Sequence, residues 1–214
     1  MRSNVEAARE ELREARAVAV LTGAGISAES GIPTFRGAGG YRKSLRFEDL
    51  ASPQGFAANP VLVWTWYEER RRQIAKAKPN AGHEALVELE HRKPSFTLIT
   101  QNVHGLHELA GSRKVLRLHG NIWSIRCESC GAERIDRSEL DVLPPVCAQC
   151  GGRERPGVVW FGESLPANVL SRASRAVMEC DVLLVVGTAA QVYPAAGMID
   201  IALCGGQPAK SCPP

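Results

Sequence analysis

Three short, mainly apolar runs in this chain each lead directly into a turn of small or polar residues. The runs occupy residues 17–22, 96–100 and 181–186, and the turns after them begin at Gly23, Gln101 and Gly187. Continuous apolar runs of this length are typical of strands buried on both faces of a parallel sheet. Stretches of helical character separate the runs, which is the pattern of βαβ units. The sequence therefore predicts an α/β fold with an open, mostly parallel sheet, in which ligands bind beyond the carboxyl ends of the strands.

Two segments interrupt this pattern and predict a smaller module inserted into the sheet domain. Residues 45–91 are helical in character, and residues 127–156 are polar and rich in glycine, proline and cysteine. We assign the sheet domain to residues 1–36, 94–124 and 157–214. We assign the small domain, which has a helical part and a cysteine-rich part, to residues 37–93 and 125–156.

The composition is that of a globular protein and argues against several functional classes. Of the 214 residues, 44% are hydrophobic and 23% are charged, and the formal net charge is +3. This charge is too small to indicate binding to nucleic acid or to a membrane surface by itself, and no apolar run reaches the ~18 residues that a transmembrane helix needs. The first 16 residues carry charges of both signs and do not resemble a secretory signal. We expect a cytoplasmic protein that binds neither nucleic acid nor membranes.

Four of the seven cysteines form two C-x-x-C pairs, which predicts a metal site. The pairs are Cys127 with Cys130 and Cys147 with Cys150. Two such knuckles can supply a tetrahedral set of four thiolates for zinc, and the glycines after each pair allow the turns that aim the thiolates. Because sulfur would fill all four positions, this Zn²⁺ would be structural and would not bind substrate. Two buried or redox-active cysteine pairs are the alternative.

A glycine-rich turn follows the first apolar run. Gly23 and Gly25 permit a tight turn and a close approach of the backbone to a pyrophosphate at a helix N-terminus. The spacing to the next glycine, Gly31, differs from the G-x-G-x-x-G pattern of dehydrogenases, and no acidic residue about 20 positions on is placed to hold a ribose. A tight strand-to-helix turn with only a structural role is the alternative. The glycine-rich loop of residues 33–41 is of the kind that can close over a bound ligand.

Seven motifs occur in a fixed order between residues 17 and 204. They are Gly23-Ala24-Gly25-Ile26-Ser27 with Gly31-Ile32-Pro33-Thr34-Phe35-Arg36-Gly37, Thr100-Gln101-Asn102-Val103, Leu118-His119-Gly120, the four cysteines, Val158-Val159-Trp160-Phe161-Gly162-Glu163, Gly187-Thr188, and Tyr193-Pro194-Ala195-Ala196-Gly197. In this order they resemble the signature of sirtuins, the NAD-dependent protein lysine deacylases. The resemblance implies a Rossmann-like sheet domain with an inserted module that contains helices and a zinc ribbon with four cysteine ligands. It also implies NAD as cosubstrate and acylated lysine side chains of proteins as partners.

The resemblance further implies which residues bind NAD. These are Gly23, Ala24, Gly25, Ile26, Ser27, Glu29, Thr34, Phe35, Arg36, Tyr41, Gln101, Asn102, Val103, His104, Gly187, Thr188 and Ala189. His104 stands where the family usually has an aspartate that helps to hold the nicotinamide carboxamide; a histidine can still hydrogen-bond an amide, but its charge and reach differ. Ala189 stands where the family has a serine, so one hydroxyl that could meet a phosphate or ribose is lost.

His119 and Asn102 are the candidate catalytic residues. A histidine with a pKa near neutral can act as a general base, although a single histidine at a strand end is more often structural. The resemblance implies that His119 accepts a proton from a ribose hydroxyl, after the acyl-lysine carbonyl oxygen has attacked the ribose carbon that carries nicotinamide. Asn102 and Gln101 would order that ribose and a nearby water.

Tyr67 and Arg70 are candidate determinants of acyl selectivity. They are three residues apart on a stretch predicted to be helical, so they share one face. From the spacing alone, an exposed arginine and a packing tyrosine are the alternative. The pair resembles that of the sirtuin branch that removes succinyl, malonyl and glutaryl groups, in which it grips the acyl carboxylate. The resemblance also implies that Val159 and Phe161, in an extended run between the two modules, bind the acyl-lysine peptide.

The end of the chain departs from the family pattern. Family members continue from the last helix, here predicted over residues 193–204, into another parallel strand, whereas this chain ends with three prolines among its last seven residues. Proline cannot donate to a strand ladder. We therefore expect the final strand and its NAD contacts to be absent, with lower NAD affinity and stability.

The leading hypothesis is thus an NAD-dependent desuccinylase or demalonylase that also removes acetyl groups. The alternative is a catalytically impaired sirtuin-like protein that binds acyl-lysine peptides or ADP-ribose. A nucleic-acid-binding zinc ribbon is disfavoured because the charge is near neutral and no aromatic–basic stripe occurs. A dehydrogenase is disfavoured by the glycine spacing.

Overall fold

A four-stranded parallel sheet forms the centre of the larger part of the computed structural model, which describes residues 4–34 and 50–205. Its strands are β1 (Ala17–Thr22), β2 (Ser95–Thr100), β3 (Val115–Arg117) and β7 (Val182–Val186), in the order β3-β2-β1-β7. Thr22, the last residue of β1, lies opposite Thr100 on one side and Val186 on the other. The carboxyl ends of these three strands are therefore level, and the predicted parallel sheet is confirmed.

Helices cover this sheet and also form much of the smaller part of the molecule. Those whose bounds lie in the described residues are α1 (Asn4–Glu14), α2 (Pro53–Ala58), α3 (Pro60–Lys76), α4 (Ala81–Arg92), α5 (Leu106–Ala110), α6 (Ala167–Met178) and α7 (Gly197–Gly205). Asn59 and Asn80 cap the first turns of α3 and α4, since their side-chain oxygens accept backbone N–H groups that have no partner within the helix. In the described ranges, none of these helices has both the length and the apolar character needed to cross a membrane.

The two faces of β1 pack against different helices, which explains its uninterrupted apolar sequence. Val18 and Val20 point into a cluster that includes Leu86 of α4, whereas Ala19 and Leu21 point into a cluster with α6. Full burial of a valine or leucine side chain contributes roughly 1.5–3 kcal/mol. The sheet that positions the turns is therefore held from both sides.

A second, antiparallel sheet belongs to the smaller part of the molecule. Its strands are β4 (Gly120–Cys127), β5 (Glu133–Ile135) and β6 (Glu154–Val158), in the order β5-β4-β6. Side chains of β4, β6 and α3 share one core around Trp64, Trp123 and Trp160. The boundaries expected after residues 124 and 156 lie within β4 and β6, and the division of the chain into two domains stays a prediction.

The structure differs from the sequence expectations in two places near the sheet. The turn after β1 continues into a single 3-10 turn, Ala24–Ser27, rather than into an α-helix. Residues 159–163 are not an extended strand, because β6 ends at Val158 and Gly162 turns the chain with a φ of +86°. The expected NAD contacts Phe35, Arg36 and Tyr41, and the proline-containing end of the chain after residue 205, lie outside the described residues.

Candidate active site

The turns that follow β1 and β7 pack directly on each other. The N–H groups of Gly23 and Gly25 donate to the carbonyl oxygens of Val186 and Gly187, at 3.0 and 2.7 Å. A Cβ atom on Gly25 would lie 2.8 Å from the Gly187 Cα atom, and one on Gly23 would lie 2.6 Å from the Thr188 Cβ atom. Glycine is therefore required here for turn-to-turn contact, whatever else the turn binds.

The amides of Gln101 and Asn102 tie the turn after β2 to the other two turns. The Asn102 side-chain N–H donates to the Gly23 carbonyl oxygen at 2.9 Å. The Gln101 side-chain N–H donates to Thr188 Oγ1 at 2.9 Å. Three turns that the sequence places far apart thus meet at the carboxyl ends of neighbouring strands, as the parallel topology requires.

His119, between β3 and β4, is held in one tautomer by a backbone carbonyl oxygen. Its Nδ1 lies 2.9 Å from the Gln101 carbonyl oxygen. A carbonyl oxygen can only accept, so Nδ1 carries the proton and Nε2 is left as the acceptor. Desolvation by burial lowers the pKa of His119, while the bond to Gln101 acts in the opposite direction. The imidazole is therefore neutral at pH 7, which is the state a general base needs.

His104 is engaged within the protein at both ring nitrogens. Its Nδ1 accepts the backbone N–H of Leu106 at 3.1 Å, so the other nitrogen, Nε2, donates to Ser27 Oγ at 2.8 Å. Burial, and then the neighbouring histidines, lower the pKa of His104 to about 3. A contact of His104 or of the Ser27 hydroxyl with NAD would have to replace one of these bonds.

Two further histidines, His83 and His107, complete a buried cluster that the sequence did not predict. His83 Nε2 lies 3.3 Å from Ser27 Oγ, and His107 Nε2 lies 3.0 Å from Thr22 Oγ1. The His83 and His107 rings are 4.9 Å apart between centroids. The capping spacing between Asn80 and His83 was the one local signal, and it indicates only the start of a helix.

Tyr67 and Arg70 both lie on the buried side of α3. The Arg70 guanidinium carbon is 5.7 Å from the centre of the Tyr67 ring and 4.7 Å from that of the Trp66 ring. Arg70 also lines a narrow crevice with Ile32 and Pro33. Only 7% of Arg70 is exposed, so the alternative of an exposed arginine on a solvated helix face is wrong.

The segment of Val159 and Phe161 runs from the candidate base to the small module. The Val159 N–H donates to the His119 carbonyl oxygen at 3.0 Å, and the Phe161 N–H donates to the Ala51 carbonyl oxygen at 2.9 Å. Val159 is half-buried, whereas 46% of Phe161 is exposed. The segment therefore bridges the two parts of the molecule and presents an aromatic ring at the surface.

The other residues expected to contact NAD differ in how far they are exposed. Ala24, Thr34 and Val103 are half-buried, Ile26 is buried, and Glu29 and Ala189 are exposed. The structure thus gathers the glycines, the two amides, Thr188 and His119 in one region, and keeps Tyr67 and Arg70 in the adjoining small module.

The four C-x-x-C cysteines form one compact cluster away from these turns. Their sulfur atoms all lie within 4.8 Å of one another, with 3.5 Å between Cys127 and Cys150 and 3.7 Å between Cys130 and Cys147. Zn–S bonds of about 2.3 Å in a tetrahedron place sulfurs roughly 3.8 Å apart, so the cluster fits Zn²⁺. Since all four ligands are thiolates, the site is structural in kind.

A family model and the most similar curated proteins that we compared all indicate the same protein family. The Sir2 family model matches residues 23–194. The chain is 56% identical over 186 residues to an NAD-dependent protein deacylase of Aquifex aeolicus, covering 86% of this chain and 78% of the relative. It is 53% identical over 206 residues to one of Thermus thermophilus, covering 94% and 81%.

Solved structures of the same family share the fold. A Sir2 homologue in complex with NAD superposes with a TM-score of 0.88 at 48% identity, covering 94% of this chain and 79% of the other. A Sir2 mutant bound to a p53 peptide and NAD gives a TM-score of 0.82 at 32% identity, covering 95% and 84%.

Proposed function

Because this chain belongs to the Sir2 family, we propose that it is an NAD-dependent protein lysine deacylase. The acyl group moves from lysine to the ADP-ribose part of NAD, nicotinamide leaves, and one water is consumed. The observation that supports this most directly is the His119 imidazole: its bond to the Gln101 carbonyl oxygen leaves Nε2 as the basic nitrogen, and the next residue, Asn102, is bonded to the first glycine turn.

In the proposed reaction, the acyl-lysine carbonyl oxygen forms a bond to the ribose carbon as the bond from that carbon to nicotinamide breaks. His119 Nε2 then accepts the proton of a ribose hydroxyl, whose oxygen attacks the acyl carbon. Asn102 and Gln101 orient the ribose and a water. Water adds to the acyl carbon as the lysine amine departs with a proton. The bond from the acyl carbon to the oxygen on the first ribose carbon then breaks, which leaves the acyl group as an ester on the ribose hydroxyl oxygen that attacked.

We propose that NAD lies along the turns after β1, β2 and β7. The contacts come from the residues that the family resemblance implies and that lie in the described region: Gly23, Ala24, Gly25, Ile26, Ser27, Glu29, Thr34, Gln101, Asn102, Val103, His104, Gly187, Thr188 and Ala189. Of these, Thr188 is already bonded to Gln101, so NAD binding is coupled to the position of the amide. The proposal also includes Phe35, Arg36 and Tyr41, which lie outside the residues that the structure describes.

We further propose that the enzyme prefers acyl groups that end in a carboxylate, such as succinyl and malonyl, and retains some deacetylase activity. Tyr67 and Arg70 support this, because a buried guanidinium and a phenol on one helix face suit a carboxylate. An acetyl group would forgo about 1.5–3 kcal/mol of charge-assisted hydrogen bonding. Val159 and Phe161 would line the path of the lysine.

The test is to incubate the protein with NAD and one peptide in succinyl-lysine and acetyl-lysine forms, and to measure nicotinamide release and peptide mass. Loss of a general base typically costs about 100- to 10,000-fold in rate, so we expect His119→Ala to reduce deacylation by that factor. His91→Ala, at an exposed histidine of α4, is the matched control and should keep full activity. Full activity of His119→Ala would contradict the assigned role.

The second candidate function is an impaired sirtuin-like protein that binds acyl-lysine peptides or ADP-ribose. The position of His104 favours it, since both ring nitrogens are occupied within the protein and no carboxylate stands there. This alternative predicts measurable binding of ADP-ribose with no nicotinamide release, an outcome that the same incubation distinguishes.

A further inference from the structure

Trp160 connects the segment that we propose to hold the lysine with the tyrosine that we propose to hold the acyl group. Its indole N–H donates to the Tyr67 hydroxyl oxygen at 2.9 Å. Trp160 is only 3% exposed, and its ring packs 5.1 Å from the Phe56 ring between centroids. The Trp160–Tyr67 contact therefore lies inside the core of the small module and not at its surface.

The Tyr67 phenol has an acceptor role filled by Trp160 and a donor role that is still open among the described residues. The phenol oxygen accepts from Trp160, and among the described residues the phenol's own proton has no acceptor. A phenol hydroxyl can donate one hydrogen bond as well as accept, so a second partner would use its remaining capacity. The phenol O–H is thus available to a ligand that carries an acceptor.

Burial raises the pKa of Tyr67 to about 12, against the opposing effect of Arg70. The phenol is therefore protonated at neutral pH and acts as a donor. With Arg70 on the same helix face, the two side chains offer one O–H and one cation, which matches an anionic oxygen better than a methyl group.

Resting on the proposed deacylase function, we propose that Trp160 is a positioning residue that determines acyl selectivity. Its N–H occupies the acceptor side of the Tyr67 oxygen and so directs the phenol O–H toward the carboxylate of an acidic acyl group. Without this N–H, the hydroxyl could turn and accept instead of donate, and the preference for a carboxylate would weaken.

Glu163 and Arg155 hold Trp160 in place. The Glu163 carboxylate accepts the Trp160 backbone N–H at 2.8 Å and is paired with the Arg155 guanidinium. The Arg155 guanidinium carbon lies 3.4 Å from the centre of the Trp160 ring. These contacts fix both the backbone and the ring, so the direction of the indole N–H is set before any ligand binds.

The test is a double-mutant cycle read by peptide binding without NAD, so that it does not depend on turnover. Isothermal titration calorimetry measures the affinities of succinyl-lysine and acetyl-lysine forms of one peptide. Trp160→Phe removes the N–H and keeps an aromatic ring; we expect the preference for the succinyl form to fall about fivefold, the value of one neutral hydrogen bond. In the Tyr67→Phe background the same change should have no further effect on the preference.

Two outcomes would overturn the inference. One is an equal loss of preference in both backgrounds, which would mean that Trp160 acts only through packing. The other is no succinyl preference in the unsubstituted protein. Nicotinamide release with the acetyl peptide is measured separately, so a failed deacylase activity is distinguishable from a failed role of Trp160. Circular dichroism of each variant identifies any loss of folding.

Discussion

At the scale of single residues, position 187 requires glycine for two reasons, its backbone conformation and the lack of space for a side chain. Its φ is +63°, and a Cβ atom there would lie 2.2 Å from the Ile26 backbone nitrogen. Gly31 has a similar φ of +79° but open space around its Cβ position. A left-handed conformation costs a non-glycine residue roughly 1–2 kcal/mol, so Gly31→Ala should show about that loss.

We expect Gly187→Ala to lose more, about 3–5 kcal/mol, because the two turns must also separate. NAD affinity should fall as well, since this separation moves the proposed binding turns. Urea unfolding and calorimetric titration of NAD measure the two effects. Equal stability of the two alanine variants would show that the turns tolerate separation.

The residues of the site differ in how far the sequence can predict them. His119 and Asn102 follow strands, and a parallel sheet brings strand ends together, so the sequence supports both. His83 is different, because its partner Ser27 is 56 residues away and only the packing of α4 brings the two together. Nor does the sequence show that His104 is bonded at both nitrogens.

At the scale of elements, buried histidines join α4, α5 and the turn after β1. Burial lowers the pKa of His83, His104, His107 and His119, and the values for His104 and His107 are about 3. Between that value and about 6.5, the unfolded chain binds protons that the folded one does not. Stability is therefore expected to rise with pH up to about 6.5 and to be level above it.

The size of the effect is the change in the free energy of unfolding per pH unit. His104 and His107 each contribute about 1.4 kcal/mol per pH unit in the lower part of the window. Urea unfolding at pH 7.5, 6.0 and 5.0, with zinc content checked at each pH, measures it. His107→Gln should reduce the slope by about one proton, whereas His91→Ala, at an exposed site, should leave it unchanged. A pH-independent stability would contradict the buried neutral cluster.

Among the strands, β1, β2 and β7 were predictable because burial on both faces leaves a continuous apolar run. β6 was not, since its sequence includes Pro156 and Gly157, which read as loop. It forms because it pairs with β4 and packs around Trp64, contacts that no local pattern shows.

At the scale of the whole molecule, β4 links the cysteine cluster to the candidate base. The strand begins at Gly120, next to His119, and ends at Cys127. Its middle residues, Ile122 and Trp123, belong to the core of the small module. Loss of the metal should therefore reach the active site through the packing of this strand, although zinc touches no reacting atom.

Cys130→Ser tests this coupling, with Cys180→Ser as the matched control. Cys130 is exposed apart from its place in the cluster, whereas Cys180 is a half-buried thiol outside it that contacts the Val177 carbonyl oxygen. Zinc binding by such sites is worth about 10 kcal/mol or more, which is comparable to the whole stability of a domain, roughly 5–15 kcal/mol. Losing one ligand should thus unfold the small sheet.

We expect Cys130→Ser to contain less than one zinc per chain, to show red-shifted tryptophan fluorescence, and to lose deacylation. The separate cores on the two faces of the parallel sheet should retain much of the helical circular dichroism. Cys180→Ser should keep its zinc and its activity. If Cys130→Ser lost zinc but kept full activity, the core around Trp123 would be stable without the metal, and β4 would not transmit its loss to His119.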